Sequence, residues 1–267
     1  MGSATLPSPV VVTGSPERCS PPSLALRARL EKREAWAQRK GTNKYVDGMG
    51  WYARGRDEAT LRELLGQGPG RSLDFPCGSG RFLDLQRLSG YSIVAADYSP
   101  TMLAQTANLT RGNLARADIF HPPFKPQSFD LILISRLMFH YPDPVEILQS
   151  LLPLLKNHGR IVFDTLNTGS LRWLASIVLK TRQARFATRL YFENPRSLTE
   201  RLKGLGLHVD QCRSCYVLPT RAYRFLPSCL VWLIHGLEKL CPRRFRVLTF
   251  WQVSMECRDH ADHLFEK

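Results

Sequence analysis

The sequence predicts an α/β chain built on a mostly parallel sheet with helices on both faces. Three observations carry that prediction. Strand-like and helix-like patterns alternate from Leu73 to Asn167, the order that βαβ units require. One strand, "FDLILIS" (Phe129–Ser135), is apolar enough to be covered on both faces, as strands of parallel sheets are. The first strand runs into an acid and a glycine corner, "RSLDFPCGSGRFLDL" (Arg71–Leu85), and such corners let backbone approach a ligand closely.

Residues 1–22 are rich in Pro, Ser and Thr and read as a disordered tail, without the basic start and apolar core of a secretion signal. Residues 23–66 form an N-terminal helical lid: a charged helix over Leu24–Lys40, a glycine- and aromatic-rich loop, "GTNKYVDGMGWYARGR", and a helix, "DEATLRELLG", closed by Gly66. Residues 67–167 are the ligand-binding core. Its strands are Leu73–Phe75, "YSIVAAD", "NLARAD", "FDLILIS" and "RIVFDTLN"; the helices between them include "SPTMLAQTA" and "PDPVEILQSLLPLLKNHG", whose end Pro153 strains.

Residues 168–257 complete the sheet under a basic and apolar helical cap, and residues 258–267 are a tail. In the cap, "SLRWLASIVLK" is apolar at helical spacing, and Arg182, Arg185 and Arg189 would continue on that same face. One face cannot serve both uses, so the helix is expected to break near Lys180. A helix "SLTERLKGLG", a strand "LHVDQCRSCYVL", an apolar stretch "FLPSCLVWLIHGL" and a last strand within "FRVLTFWQVSMECR" follow.

Seven cysteines without disulfide-like spacing suit a reducing cytoplasm. Cys212 and Cys215 lie three apart on a strand and so point to opposite faces, which argues against a metal or redox pair; no metal site is expected. The formal net charge of +14 favours an anionic partner without choosing among nucleic acid, an acidic membrane and an acidic substrate.

Ligands of open parallel sheets sit at the carboxyl ends of the strands, and three acids fall there: Asp74, Asp97 and Asp118. Asp97 can hold both hydroxyls of a ribose; Asp118 can accept from an adenine amino group while Ile119 packs on the ring; the alternative for either acid is a helix N-cap or a turn. These describe a pocket for an adenosine-containing ligand. Phosphate-binding loops fit poorly, because Gly80 is followed by Arg81 and Phe82 rather than Lys-Ser/Thr, and the corner has no third glycine. An acid just before the turn would also repel a pyrophosphate.

On these residues the chain resembles the class I S-adenosylmethionine-dependent methyltransferases, of the small-molecule, ubiquinone/menaquinone-synthesis type. "LDFPCGSGRFL", "VAADYSPTMLAQTA", "ARADIFHPPFKPQSFDLILISRLMFHY" and "LLPLLKNHGRIVFDTLN" match that family's strand-end motifs in order, over Arg71–Asn167. Pro76 stands where the family has its usual first glycine. The resemblance implies a Rossmann-like seven-stranded sheet with its last strand antiparallel, and S-adenosylmethionine as cofactor. It implies that Asp74 lies under the methionyl amino end, that Cys77, Gly78, Ser79 and Gly80 line the methionine chain, and that Asp97 takes the ribose. Tyr98 would flank the adenine, Asp118 and Ile119 recognise it, and Ser135 stand near the sulfonium.

Methyl transfer from a sulfonium is a direct displacement, in which positioning supplies much of the acceleration. For a hydroxyl acceptor, His140 in "RLMFHYPDP" is the candidate general base, with a cap or packing role as the alternative. Arg136 and Tyr141 are candidate lining residues. Tyr45, Tyr52 and Arg54 form either a lid or a solvated linker.

The chain lacks the Asn/Asp-Pro-Pro-Tyr/Phe signature of enzymes that methylate exocyclic base nitrogens, having "SRLM" instead, and shows no separate RNA-binding module. A small, apolar or aromatic acceptor is therefore the expected substrate. An RNA methyltransferase and a non-catalytic binding protein on the same fold are the alternatives. Arg172–Arg246 holds 15 Lys/Arg against 4 Asp/Glu. Its apolar helix around Leu233 suits either a cap over the acceptor pocket or peripheral contact with an anionic membrane.

Overall fold

The computed structural model describes residues 50–110, 113–178 and 190–255. The tails expected at 1–22 and 258–267, the helix expected at 24–40, Tyr45 and the break near Lys180 lie outside the described residues. In chain order the elements are α1 (Gly50–Leu65), β1 (Gly70–Asp74), α2 (Leu83–Leu88), β2 (Tyr91–Asp97), α3 (Pro100–Thr110), β3 (Leu114–Arg116), β4 (Phe129–Ile134), α4 (Pro144–Leu151), β5 (Leu155–Leu166), α5 (Leu171–Val178), α6 (Pro195–Gly204), β6 (Leu207–Cys215), α7 (Ser228–Glu238) and β7 (Leu248–Met255).

The strands form one seven-stranded sheet in the order β3-β2-β1-β4-β5-β7-β6. The first five pair in parallel; β7 runs antiparallel to both β5 and β6. Strand order reverses between β1 and β4, so the connections after these two central strands diverge and open a crevice at their carboxyl ends. The glycine corner follows β1 and the Ser135–Tyr141 segment follows β4.

Period-two alternation sorts the strand residues into two cores. Ile132, Ile134, Ile161, Phe163, Trp251 and Val253 face α4 and α6, which contribute Ile147, Leu148, Leu198 and Leu202. Leu131, Leu133, Val162, Leu248 and Phe250 face the other way, against Leu61, Leu64 and Leu65 of α1. Leu131 to Ile134 are all fully buried, as the apolar run predicts. Cys212 packs on the first core and Cys215 within the second, so they do occupy opposite sides of the sheet.

Several boundaries differ from the sequence expectation. The helix expected from Asp57 begins at Gly50, absorbing the predicted loop residues Trp51–Arg56. Burial of Tyr52 and Ala53 outweighs the helix cost of Gly50 and Gly55. The helix expected over 142–159 ends at Leu151, and a 3₁₀ turn, Leu152–Leu154, contains Pro153. Pro153 lacks the N–H needed to continue an α-helix. Strand β5 therefore begins at Leu155 and carries a register shift against β4. Strand β3 stops at Arg116, leaving Asp118 in the following turn. Residues 245–247 precede β7 rather than join it.

Beneath the crevice lies a buried ionic network centred on Asp57 of α1, which is fully buried. Arg81, just past the glycine corner, donates to Asp57 Oδ2 at 3.0 Å, and Arg136, just past β4, donates to the same oxygen. The Tyr216 hydroxyl, just past β6, donates to Asp57 Oδ1 at 2.6 Å. The Arg136 backbone N–H reaches Asp164 Oδ1 of β5 at 2.6 Å. Arg136 and Tyr216 hold left-handed backbone, with φ of 59° and 70°, which is costly for residues with a Cβ.

Asp57→Asn keeps the shape and removes the charge, leaving the Arg81 and Arg136 guanidiniums, whose side chains are 11% and 14% exposed, without their shared counter-ion. Breaking a buried pair this way costs about 3–5 kcal/mol. Urea unfolding should show that loss, and an unchanged midpoint would refute a supporting role for the network.

Candidate functional site

The glycine corner is shaped by two left-handed glycines that do different work. Gly80 has φ of 80°, and a Cβ there would meet Leu109 Cδ1 at 2.8 Å and Leu83 Cδ1 at 2.9 Å. That glycine lets α2 and α3 close together. Gly78 has φ of 54°, and a Cβ there would meet nothing within 4 Å. Its bare backbone borders open space, as a ligand cradle requires.

The corner is held by backbone-directed bonds. Cys77 N–H donates to Ala96 O at 2.8 Å, Gly78 N–H to Asp97 Oδ2 at 2.9 Å, and Thr106 Oγ1 to Gly78 O at 2.7 Å. Asp97 ends β2 and accepts through its other oxygen from Ser99 N–H at 2.9 Å. One buried carboxylate thus fixes the first turn of the corner and the entry to α3. A carboxylate has about four acceptor sites, of which these two backbone bonds use two.

Asp74 ends β1 beneath the corner, 2% exposed. It accepts from Gln86 Nε2 at 2.9 Å. Burial, which dominates, together with the nearby charge of Asp97 pushes its carboxyl up to about 8, against the opposing pull of the Gln86 bond. Asp74 is therefore mostly neutral at pH 7. Cys77 turns its side chain into a small core with Leu83, Ala95 and Leu103. Burial raises its thiol far above the usual range, and its Sγ lies 3.7 Å from Gly78 O. Ser79 is half-buried beside it.

The adenosine end is less uniform. Tyr98 is 37% exposed and carries the Arg116 guanidinium over its ring at 5.5 Å. Asp118 is half-buried, accepts from Phe120 N–H at 3.1 Å, and lies 3.5 Å from His121 Nδ1. Ile119 is buried in the first core. In this structure Asp118 works as a turn acid and Ile119 as a core residue.

After β4, Ser135 is half-buried and His140 closes the 3₁₀ turn Met138–His140, its ring 4.8 Å from that of Phe139. Asp143, not His140, caps α4, accepting from Val145 N–H at 2.9 Å. The cap role considered for His140 is thus taken.

Four expected lining residues are placed elsewhere. Arg136 turns its guanidinium to Asp57 and Asp164, because the left-handed backbone directs it inward. Tyr141 is 3% exposed and packs edge-on against Phe120 at 5.3 Å. Tyr52 sits on α1 rather than in a loop, stacked on Tyr223 at 5.0 Å and 2.8 Å from His235 Nδ1. Arg54 is exposed on α1 and lines a surface groove of about 400 Å³ with Gly50, Trp51, Gly55 and Glu58, away from the glycine corner. Sequence reasoning did not single out Gln86, Thr106 or Asp57. Each acts on a residue distant in the chain, and no local pattern marks it.

The family model described as "Methyltransferase domain" matches residues 73–163. The chain is similar to the ubiquinone biosynthesis O-methyltransferase of Yersinia enterocolitica, at 26% identity over 112 residues, which is 40% of this chain and 46% of that protein. The chain thus spans about half the length of the curated relatives it matches. Among solved structures it resembles magnesium protoporphyrin IX methyltransferase from Synechocystis with bound SAH, with TM-score 0.57, 14% identity, 85% of this chain and 99% of that one. It also resembles an S-adenosylmethionine-dependent methyltransferase of Leishmania major, with TM-score 0.58, 14% identity, 85% of this chain and 83% of that one. At these identities the structural likeness is one of fold.

The raised Asp74 carboxyl fixes a sign for stability. In the folded chain it keeps its proton up to about pH 8, from a usual value of 3.8, while the unfolded chain releases it near pH 4. Its contribution is fully present below about pH 4 and is lost as pH rises through about 8. Asp74→Asn, permanently neutral, should flatten that slope and raise the urea midpoint at pH 8 relative to the parent. An equal slope in both proteins would place Asp74 in its ionised form.

Proposed function

We propose that this chain, whose residues 73–163 match the methyltransferase-domain family model, transfers a methyl group from S-adenosylmethionine to a small, apolar or aromatic acceptor. The observation that carries the reading is the pairing of Asp97 with Gly78: a buried strand-end carboxylate holds a glycine whose missing side chain leaves open space. That is the arrangement a nucleoside with a flexible, cationic tail needs. The largely neutral Asp74 adds little charge beneath it.

When bound, S-adenosylmethionine supplies a methyl group on a positively charged sulfur, activated for displacement with a neutral leaving group. The chain's own contribution is to bind, orient and handle a proton. Asp97 would accept from the ribose hydroxyls, the exposed Tyr98 ring would flank the base, and the Asp118–Ile119 turn would bound it. The Cys77–Gly80 backbone lines the methionine chain, and Ser135 borders the reacting end. His140, beyond the central strand β4, takes the proton from an acceptor hydroxyl.

The acceptor class is supported by the curated relatives, named as O-methyltransferases of ubiquinone biosynthesis, and by the missing signature of base-nitrogen methylation. The described cysteines, Cys77, Cys212, Cys215, Cys229 and Cys241, are all free thiols, which supports a reducing, cytoplasmic setting. Among the described residues no helix is long and apolar enough to cross a membrane.

Calorimetry with the demethylated cofactor should give one-to-one binding that Asp97→Ala weakens roughly 30- to 1000-fold, the loss of about 2–4 kcal/mol in charge-assisted bonds. Full affinity in that variant would remove the cofactor assignment. His140→Ala should keep cofactor affinity and lower labelled-methyl transfer to quinone-like phenols by ~10²–10⁴-fold. Unchanged turnover across the pH range would leave His140 a packing residue, and transfer to RNA alone would replace the acceptor class.

A further inference from the structure

Helix α7 is inside out. Its inward side carries Val231, fully buried, but also His235, whose Nδ1 lies 2.8 Å from the Tyr52 hydroxyl, and Glu238, 1% exposed and 3.5 Å from Arg56. Its outward side carries Leu230, Trp232, Leu233 and Leu237, with exposures of 37%, 60%, 58% and 52%; Leu240 follows at 81%. A surface helix of a water-soluble fold normally shows the reverse. Anchoring by polar groups on the inside leaves the apolar side without a partner among the described residues.

The apolar surface extends beyond α7. Phe225 before it and Phe245 after it are exposed, each with an arginine over its ring, Arg224 at 5.9 Å and Arg244 at 4.7 Å. The Arg243–Phe245 turn rests on the entry to α5, where a Cβ at Gly169 would lie 3.4 Å from Arg244 O. Helix α5 in turn exposes Leu171, Leu174 and Ile177. Between residues 221 and 246 there are six cations, Arg221, Arg224, Lys239, Arg243, Arg244 and Arg246, and one acid, the buried Glu238. All but Arg246 are exposed.

We infer that the outward face of α7, with Phe225, Phe245 and their flanking cations, docks at the headgroup–acyl boundary of an anionic membrane. Leucines, a tryptophan and phenylalanines enter the boundary while arginines and lysine remain among the headgroups. With 11 residues, α7 is too short to span a bilayer, which takes about 20, so it lies in the plane. A second copy fits this face poorly, because a symmetric contact would bring the two rings of cations together. The inference extends the proposed function, since an apolar acceptor would be met at the bilayer, but it is read without any methyl transfer.

The test is flotation of the full chain with vesicles of phosphatidylcholine alone or mixed with phosphatidylserine, at low and high salt. The chain should float with the anionic vesicles and shift its tryptophan emission to the blue, a shift missing in Trp232→Phe. Arg243→Glu with Arg244→Glu should lower partitioning at low salt by about fivefold for each cation removed. Leu233→Ser with Leu237→Ser should lower it at least about tenfold at either salt. Both leucines are more than half exposed, whereas Ile234 packs on the second core, so this pair spares the fold; an unchanged urea midpoint and unchanged cofactor affinity verify that. Flotation absent in the parent, or undiminished in the Leu→Ser pair, would overturn the inference. So would a parent dimer that the same pair dissolves, or RNA binding lost in that pair while flotation persists.

Discussion

Asp57 is the constraint on which the crevice depends. It is a fully buried acid on the first described helix, and residues beyond three separate strands converge on it: Arg81 after β1, Arg136 after β4 and Tyr216 after β6. Two of these partners hold left-handed backbone, a conformation that costs of order 1–3 kcal/mol per residue and persists only where surroundings enforce it. The network supplies that enforcement. It ties α1 to the sheet and sets the directions in which the chain leaves β1 and β4, the two strands flanking the point where strand order reverses.

The glycine corner shows how a ligand cradle is built from opposite demands. Gly80 is required by its left-handed backbone, with side chains from α2 and α3 crowding the volume where its Cβ would be. Gly78 is required by openness and by its left-handed turn. Asp97 reconciles the two by accepting from Gly78 and Ser99 at once. Asp74, a short distance behind, is kept largely neutral by burial. Two acids at neighbouring strand ends thus differ in their partners: Asp97 meets two backbone donors, and Asp74 a single side-chain amide in a dry setting.

On the opposite flank the same physics produces an inverted helix. The pKa of His235 is pushed down chiefly by burial and secondarily by the Arg56 charge, and its ring pairs with Tyr52 while Glu238 pairs with Arg56. Satisfying these polar groups internally fixes the rotation of α7 and commits its leucines and Trp232 to the outside. Fold stability and surface character are therefore one decision here.

The sequence by itself determined the strand order of chemistry: five parallel strands, the apolar β4, a glycine corner after β1, and acids at the ends of β1 and β2. These features are written in nearest-neighbour periodicity, which folding preserves. Asp118 was also visible, with a ligand and a turn reading both open, and the folded turn shows its bond to the Phe120 backbone and its approach to His121. Tertiary structure alone decided the roles of Arg136, Tyr52 and Tyr141, which a linear reading placed at the cleft and packing placed inside. It also decided which way α7 faces. The deciding contacts join residues such as Asp57 and Tyr216, or Tyr52 and His235, more than 150 positions apart. Such pairs leave no periodic trace along the chain, because their geometry exists only once the sheet has brought them together.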